Sequence, residues 1–223
     1  MTGFLTFGGV STADYGISVD TSQSFATPQR RVETTGILGR SGEYILYDPG
    51  TFDNVVISYP CFIQTNFASR FPDFMAHIHA LHGLQVLRDS AHADRYRDAY
   101  FMQAVTPQTG VYNKAGVFTL QFSCGVWRLD SGLTVQTFTA NGTITNPTAM
   151  IAKPTIYVEG TGDVTINGKT IGITVTETTV NTELMEEDHP ITGDYPDLAP
   201  GSNTVTLGSG ITKVTITPNW WTI

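Results

Sequence analysis

The stretch from Gly39 to Ile63, GRSGEYILYDPGTFDNVVISYPCFI, constrains the fold more than any other part of this chain. Bulky β-forming residues alternate on both faces of its two halves, Tyr44–Tyr47 and Val55–Tyr59. The turn Asp48-Pro49-Gly50-Thr51 between them supplies the fixed φ of proline and the permissive φ of glycine. We therefore predict two half-buried strands joined by this turn and covered on both sides, by the core and by another surface.

The rest of the first part predicts strands around a single helix. Apolar residues at helical spacing place this helix from about Ser69 to Leu81, with Ser69 as its N-cap and Gly83 as its end. Pro72 is compatible with that helix only within the first turn. The predicted strands of the first part lie near 4–7, 31–38, 43–47, 55–63, 84–88, 98–105 and 115–128.

A polar stretch that starts at Asp130-Ser131-Gly132 predicts a division into residues 1–132 and 133–223. The second part has no helical periodicity. Val164-Thr165-Ile166 and the apolar positions 171, 173 and 175 flank Asn167-Gly168, which predicts a hairpin. A second hairpin is predicted around Gly208-Ser209-Gly210. Short strands with threonine at outward positions are typical of a β-sandwich or jelly roll.

Charge is low and unevenly distributed. Charged residues make up 14% of the chain, against about 25% in an average protein, and interface cores are depleted in charge. The net charge of −8 divides into −2 for residues 1–131 and −6 for residues 132–223. Eight of the nine basic residues in the first part are arginine, and all three in the second part are lysine. Arginine suits subunit interfaces. We therefore expect the first domain to form the contacts between subunits and the second domain to be a peripheral module of the assembly.

Five stretches, in order along the chain, resemble the distal tail protein (Dit) family of siphophages. They are Phe4–Ile17, Gly39–Ile63, Leu87–Phe101 with its Arg-Asp-Ser and Tyr-Arg pairs, Gly116–Arg128, and the borders of the second domain at Pro147–Gly160 and Trp220-Trp221-Thr222-Ile223. The resemblance implies a mainly β protein, in which a tube-like β-sandwich with one α-helix precedes a galectin-like β-sandwich. It also implies a hexameric hub ring at the virion tail tip.

The resemblance further implies a set of partners. These are the major tail protein, a tail-associated or central fibre protein and a receptor-binding protein, with DNA passing through the ring without specific binding. The low pI of about 4.9 fits such a conduit, because nucleic-acid affinity comes mainly from basic groups. No run is long or apolar enough to cross a bilayer, and no signal peptide is recognisable. We expect synthesis and assembly in the host bacterial cytoplasm.

Candidate interface residues follow from these patterns. We assign the ring or partner interface to the hairpin Arg40–Val55 and to three arginines; the residues are Arg40, Tyr47, Asp48, Phe52, Arg88, Arg95 and Arg97. Trp220 and Trp221 are candidates for a glycan or partner contact. Adjacent strand residues face opposite sides, so one of the two is expected in the core and the other outside.

Other chemistries are less favoured. His79 and His82 lie on one side of the predicted helix, but Zn²⁺ needs three or four converging ligands. The acidic run from Glu183 to Asp188 lacks the spacing of a calcium loop. Cys61 and Cys124 are expected to be buried thiols rather than a disulfide. The alternative function is a carbohydrate-binding adhesin acting through the second domain. An enzyme ranks third, and no cofactor is expected.

Overall fold

The structure, a computed structural model, describes residues 2–21, 26–110, 112 and 114–223. The chain consists of two compact units. Unit 1 contains Met1–Trp127 together with Ile223, and unit 2 contains Arg128–Thr222. Both are built mainly from β-strands, as the sequence predicts.

Unit 1 combines one large sheet with helix α1 (Phe67–Ala80). Its strands are β1 (Thr2–Gly3), β2 (Leu5–Phe7), β3 (Val10–Ser11), β4 (Ile17–Asp20), β5 (Glu33–Gly36), β6 (Glu43–Tyr47), β7 (Val55–Ile63), β8 (Gln85–Asp89), β9 (Arg95–Phe101), β10 (Gln108–Thr109) and β11 (Gly116–Leu129). The sheet has the order β1-β4-β7-β11-β9-β8-β2-β3, with β10 paired to β11. Strands β5 and β6 form a separate two-stranded sheet.

Strand β7 shows how the sheet builds its core. Its odd-numbered residues from Val55 to Ile63 are buried, and the intervening residues face outward. It pairs in antiparallel register with β11, which places Tyr59 opposite Leu120 and Ile57 opposite Phe122. These side chains and the buried face of α1 belong to one hydrophobic cluster. The cover that the sequence predicts on both sides of this strand is therefore found on only one face of β7 among the described residues, since Val56 on the other face is exposed.

Helix α1 begins two residues before the predicted start. Phe67 is buried and stacks on Phe71 with ring centroids 5.0 Å apart, and its N–H donates to the Lys114 carbonyl. Ser69 therefore lies inside the helix and is not its N-cap. Pro72 lies beyond the first turn, where it removes one helical hydrogen bond. Core packing of Phe67 thus sets the start of the helix, rather than a polar cap.

The two cysteines are buried free thiols, as predicted. The register of β7 and β11 places Cys61 opposite Phe118 and Cys124 opposite Val55, so the two sulfurs lie far apart along the ladder. Burial raises the pKa of both thiols to about 12. Both thiols are therefore poorly reactive in the folded chain.

Unit 2 is a sandwich of two five-stranded sheets around one apolar cluster. Its strands are β12 (Gln136–Phe138), β13 (Gly142–Asn146), β14 (Thr155–Gly160), β15 (Gly162–Ile166), β16 (Lys169–Ile173), β17 (Thr178–Asn181), β18 (Glu186–Glu187), β19 (Ile191–Gly193), β20 (Gly201–Leu207) and β21 (Ile211–Thr217). The short strand β22 (Trp221–Thr222) belongs to neither of these two sheets and pairs with β11. The sheets have the orders β12-β21-β14-β17-β18 and β13-β20-β15-β16-β19. The galectin-like character of this sandwich stays a prediction.

The units divide earlier than the polar stretch at Asp130 indicates. Strand β11 continues to Leu129, and the boundary falls between its residues Trp127 and Arg128. The boundary lies within an extended strand, and no turn residue marks it in the sequence. The expected boundary after residue 132 therefore falls within unit 2, at the end of a short 3₁₀ turn, Asp130–Leu133.

Of the two predicted hairpins, one is confirmed and one is wrong. Strands β15 and β16 pair across Asn167-Gly168, both with positive φ as a type I′ turn requires. Strands β20 and β21, by contrast, lie in different sheets. The segment Gly208-Ser209-Gly210 is thus a connection that crosses from one sheet to the other.

Glycines make this crossing possible because two backbones touch there. The Gly160–Gly162 connection also changes sheets, and its Thr161 N–H donates to the Gly210 carbonyl at 3.1 Å. A Cβ on Gly210 would lie 2.4 Å from the Thr161 oxygen. No side chain fits between two backbones at that distance.

We expect Gly210→Ala to lower the free energy of unfolding by about 3 kcal/mol, since strain at its positive φ and the backbone clash add. Gly201→Ala is the matched control, because Gly201 also has a positive φ but has open space around its Cα. That variant should lose only about 1–2 kcal/mol. Urea unfolding followed by circular dichroism measures both, and equal losses would contradict the close backbone contact.

Candidate assembly surface

Residues 29–53 form a long two-legged hairpin, called the arm below. Strands β5 and β6 pair along its outer part, with Thr35 opposite Tyr44. Nearer the core, the Arg31 N–H donates to the Thr51 carbonyl and the Asp53 N–H to the Gln29 carbonyl. The two predicted half-buried strands, Tyr44–Tyr47 and Val55–Tyr59, are therefore not the two legs of one hairpin, and the first of them is exposed.

The predicted turn Asp48-Pro49-Gly50-Thr51 does not reverse the chain between two paired strands. Asp48 accepts a hydrogen bond from the Gly50 N–H at 3.0 Å and forms an ion pair with Arg30 at 2.8 Å. The Asp-Pro-Gly segment is thereby held as a kink within the returning leg of the arm. The true tip lies at residues 37–42, between β5 and β6. Strand β7 instead pairs with β4 and β11.

The arm has no core of its own. Every residue from 29 to 51 is exposed. Its large apolar side chains are 39% exposed or more, and Leu38 at the tip is fully exposed; they are Val32, Ile37, Leu38, Tyr44, Ile45, Leu46 and Tyr47. A two-stranded hairpin is at best marginally stable in water. The expected cover on both faces of β6 is therefore not supplied by the described part of this chain.

Ion pairs hold the base of the arm together. Besides the Arg30–Asp48 pair, Arg31 binds Asp53 at 2.9 Å. The Gly50 N–H and the Arg30 guanidinium lower the pKa of Asp48. Both pairs are partly exposed, so each contributes little stability. They fix the direction of the two legs rather than adding a core.

Four of the predicted interface residues lie on the arm. Arg40 is exposed at the tip, where its N–H donates to the Ile37 carbonyl. Tyr47 is 63% exposed at the end of β6. Asp48 is held in the kink, and Phe52 is half-buried in a β-bridge opposite Arg30. The arm thus gathers Arg40, Tyr47, Asp48 and Phe52 on one element.

The remaining predicted arginines lie on the sheet of unit 1. The Arg88 guanidinium stacks 5.0 Å from the centre of the Tyr96 ring. Arg95 makes two hydrogen bonds to Asp94, and these hydrogen bonds raise the pKa of Arg95 and lower that of Asp94. Both arginines are half-buried.

Arg97 is not an assembly-surface residue, contrary to the prediction. It is only 2% exposed, and its guanidinium stacks 4.0 Å from the centre of the Trp127 ring. Nη1 donates to the Gly125 carbonyl at 2.6 Å, whereas Nε has no hydrogen-bond partner. Burial lowers the pKa of Arg97. In the sequence, the signal for this placement is that Arg97 lies two positions before Ala99, so both side chains lie on the same, buried face of β9.

A buried polar network surrounds Arg97. Asp89 is 4% exposed and accepts a hydrogen bond from the Tyr59 hydroxyl and two from backbone N–H groups of residues 91 and 92. The His92 ring lies 2.9 Å from Asp89 Oδ1 and packs against Trp127. Burial, together with Asp89, raises the pKa of Tyr59. One residue of each sequence element, Asp89 of Arg-Asp-Ser and Arg97 of Tyr-Arg, is thus buried, while Arg88 and Tyr96 stack on each other nearer the surface.

Only part of the tryptophan prediction is confirmed. Trp220 is 3% exposed in the core of unit 2, and Trp221 is half-buried, so the two face opposite sides as expected. Trp220 is therefore unavailable to a glycan or protein partner. The Trp221 indole N–H already donates to the Ile151 carbonyl at 2.8 Å. Neither side chain offers the open platform that the adhesin alternative requires.

Two further kinds of site, a metal-binding cluster and a membrane-spanning helix, are not found among the described residues. Within the described ranges, no three His, Cys, Asp or Glu side chains are grouped to hold a metal ion. In the acidic run, Glu183 pairs with Arg128, and Asp188 accepts the Thr179 N–H. No helix among those residues is long and apolar enough to cross a membrane.

Comparison with known proteins bears on the whole chain. No protein-family model matches it, and no curated protein matches its sequence. Among solved structures, the Dit protein (gp 19.1) of SPP1 is similar over 98% of this chain and 99% of that one, with a TM-score of 0.66 and 13% identity. The two proteins share a fold. That protein is described as a paradigm of the hub adsorption apparatus in phages that infect Gram-positive bacteria. The resemblance seen in the sequence is confirmed at the level of the fold.

We expect Arg97→Ala to lower the free energy of unfolding by about 2–4 kcal/mol, since it empties a buried site and removes the stacking on Trp127. Arg95→Ala is the matched control in the same strand and should lose less than about 1 kcal/mol. Urea unfolding measures both. A similar small loss for the two variants would contradict the structural role of Arg97.

Proposed function

We propose that this chain is a structural subunit of a phage tail hub, a ring at the distal end of a long non-contractile tail. The observation that carries the proposal is the likeness to SPP1 Dit over nearly the full length of both chains. A match to one domain alone would be compatible with a domain that occurs in proteins of other functions. A match that includes both units supports the same kind of assembly role.

The arm supplies a physical reason for a ring. Its apolar side chains lack cover within the described chain, and a second copy of the chain presents the same arm and the same sheet. A contact between two different surfaces repeats from copy to copy and closes into a ring when the rotation allows it. We propose that six copies close such a ring, with each arm lying on the neighbouring subunit.

The size of the arm fits this role. If a fully exposed large side chain offers roughly 150–250 Å², the seven exposed apolar side chains of the arm offer on the order of 700 Å². A standard specific interface buries about 800 Å² on each partner. One arm is therefore large enough to be the main contact between neighbours, with Arg88 and Arg95 of the sheet as further contact candidates.

The two units take different roles in this proposal. Unit 1 carries the arm and forms the ring, which joins the major tail protein above to a tail-associated or central fibre protein below. Unit 2 is the more acidic part and projects outward as a galectin-like sandwich that holds receptor-binding proteins. The ring belongs to the virion tail tip and is assembled in the host bacterial cytoplasm.

The proposed role is mechanical rather than catalytic and needs no cofactor. DNA passes through the ring without specific binding. The net charge of −8 supports this, because an acidic lining repels phosphates and does not trap the DNA.

We expect the purified chain to form six-membered rings, and Leu46→Asp to leave it monomeric but folded. Leu46 is 56% exposed in β6, so a carboxylate there costs little in the monomer and is unfavourable in a closed interface. Light scattering gives the mass, negative-stain images the symmetry, and circular dichroism the fold. Leu184→Asp is the matched control, since Leu184 is 62% exposed in unit 2.

A monomeric wild-type chain, both alone and with purified major tail protein, would contradict the ring. Rings that form equally well from Leu46→Asp would contradict the role of the arm. Loss of rings in Leu184→Asp would show that the contact does not depend on the arm alone.

A further inference from the structure

An apolar cavity opens beside helix α1 in unit 1. One wall is formed by Phe71, Met75 and His79 on successive turns of the helix. The other wall is formed by Phe101 and the irregular segment 102–105 that follows β9. The volume is about 490 Å³, within the range of about 300–1,000 Å³ that takes a bound group of moderate size. None of the lining residues carries a carboxylate, an ammonium or a guanidinium group.

A second cavity of the same volume shares residues 103–105 with the first in its wall. Its walls contain amides, hydroxyls and the Asp20 carboxylate, together with apolar side chains such as Phe62, Val117 and Phe118. The first cavity also includes two polar side chains, His79 and Gln103, but no carboxylate. An apolar group placed in the second cavity would leave its carboxylate without water. The two cavities thus differ chiefly in the Asp20 carboxylate, which only the second one contains.

The tip of the arm is the apolar group in need of a site. Leu38 is fully exposed and Ile37 is 46% exposed. The other half of the tip carries the exposed polar residues Arg40 and Ser41, so only the Ile37–Leu38 half is suited to an apolar site. The first cavity can receive these two side chains without burying a carboxylate, whereas in the second cavity they would cover Asp20. Both surfaces belong to one chain, so a second copy supplies the knob and the hole that each copy lacks.

We propose that the Ile37–Leu38 tip of one copy occupies the cavity between α1 and residues 101–105 of the next copy. This inference rests on the proposed ring and names where each arm ends in it. Large exposed apolar side chains that fill a pocket on the partner are the typical anchors of an interface. The area that the arm offers, close to that of a standard interface, supports a second copy as the occupant.

Chemical cross-linking tests the placement. The double variant Leu38→Cys/His79→Cys adds one thiol at the tip and one at the exposed helix position on the cavity wall. A short bis-maleimide should then convert rings into a ladder of covalent multimers in a denaturing gel. The native Cys61 and Cys124 are buried with raised pKa values, so the wild type should give no ladder.

The matched control is Leu38→Cys/Thr119→Cys, which moves the second thiol to the exposed Thr119 at the second cavity. We expect no ladder from it or from either single variant. In addition, Leu38→Ala should raise the concentration at which rings dissociate by about tenfold or more, because a buried leucine is removed.

The outcomes separate this inference from the proposed function. Rings with a ladder only in the His79 pair support the cavity next to α1. Rings that give no ladder, or a ladder only in the Thr119 pair, overturn the inference while the hub proposal stands. Chains that form no rings at all contradict the hub proposal and the inference together.

Discussion

The rest of the account depends on a hydrophobic strand that its own chain leaves uncovered. Residues Tyr44–Tyr47 present four large apolar side chains, each at least half exposed, on a hairpin with a single pairing partner. Such a hairpin gains little from burial and loses conformational entropy when it becomes ordered. Its stability therefore has to come from another molecule. A ring of identical copies provides one such partner for every arm.

The remainder of the chain is built to stay rigid around that arm. In unit 1, Arg97 and Asp89 bring polar groups into the core, where they are held by Trp127, Tyr59 and backbone groups. In unit 2, paired glycine connections let the backbones cross between sheets in close contact. Networks and contacts of this kind tolerate little rearrangement. The arm differs from these two cores, because its seven exposed apolar side chains lie together on one element.

The sequence predicts the parts of the fold whose signals are local. The Asn167-Gly168 turn and the opposite orientations of Trp220 and Trp221 follow from turn chemistry and spacing. Strand partners do not follow from such signals. Tyr44–Tyr47 pairs with β5 instead of β7, and β20 and β21 belong to different sheets. In both cases the pairing depends on packing against residues that are distant in the sequence. Residue type also does not distinguish the buried Arg97 from the half-buried Arg95, which lies two positions before it.

Hydrogen–deuterium exchange of the arm tests the central claim most directly. The amides of residues 33–47 should exchange slowly in assembled wild-type protein and rapidly in the Leu46→Asp monomer, because only a neighbouring copy covers them. The buried hairpin of β15 and β16 serves as an internal reference and should exchange equally in both. Equal exchange of the arm in the two samples would contradict the account.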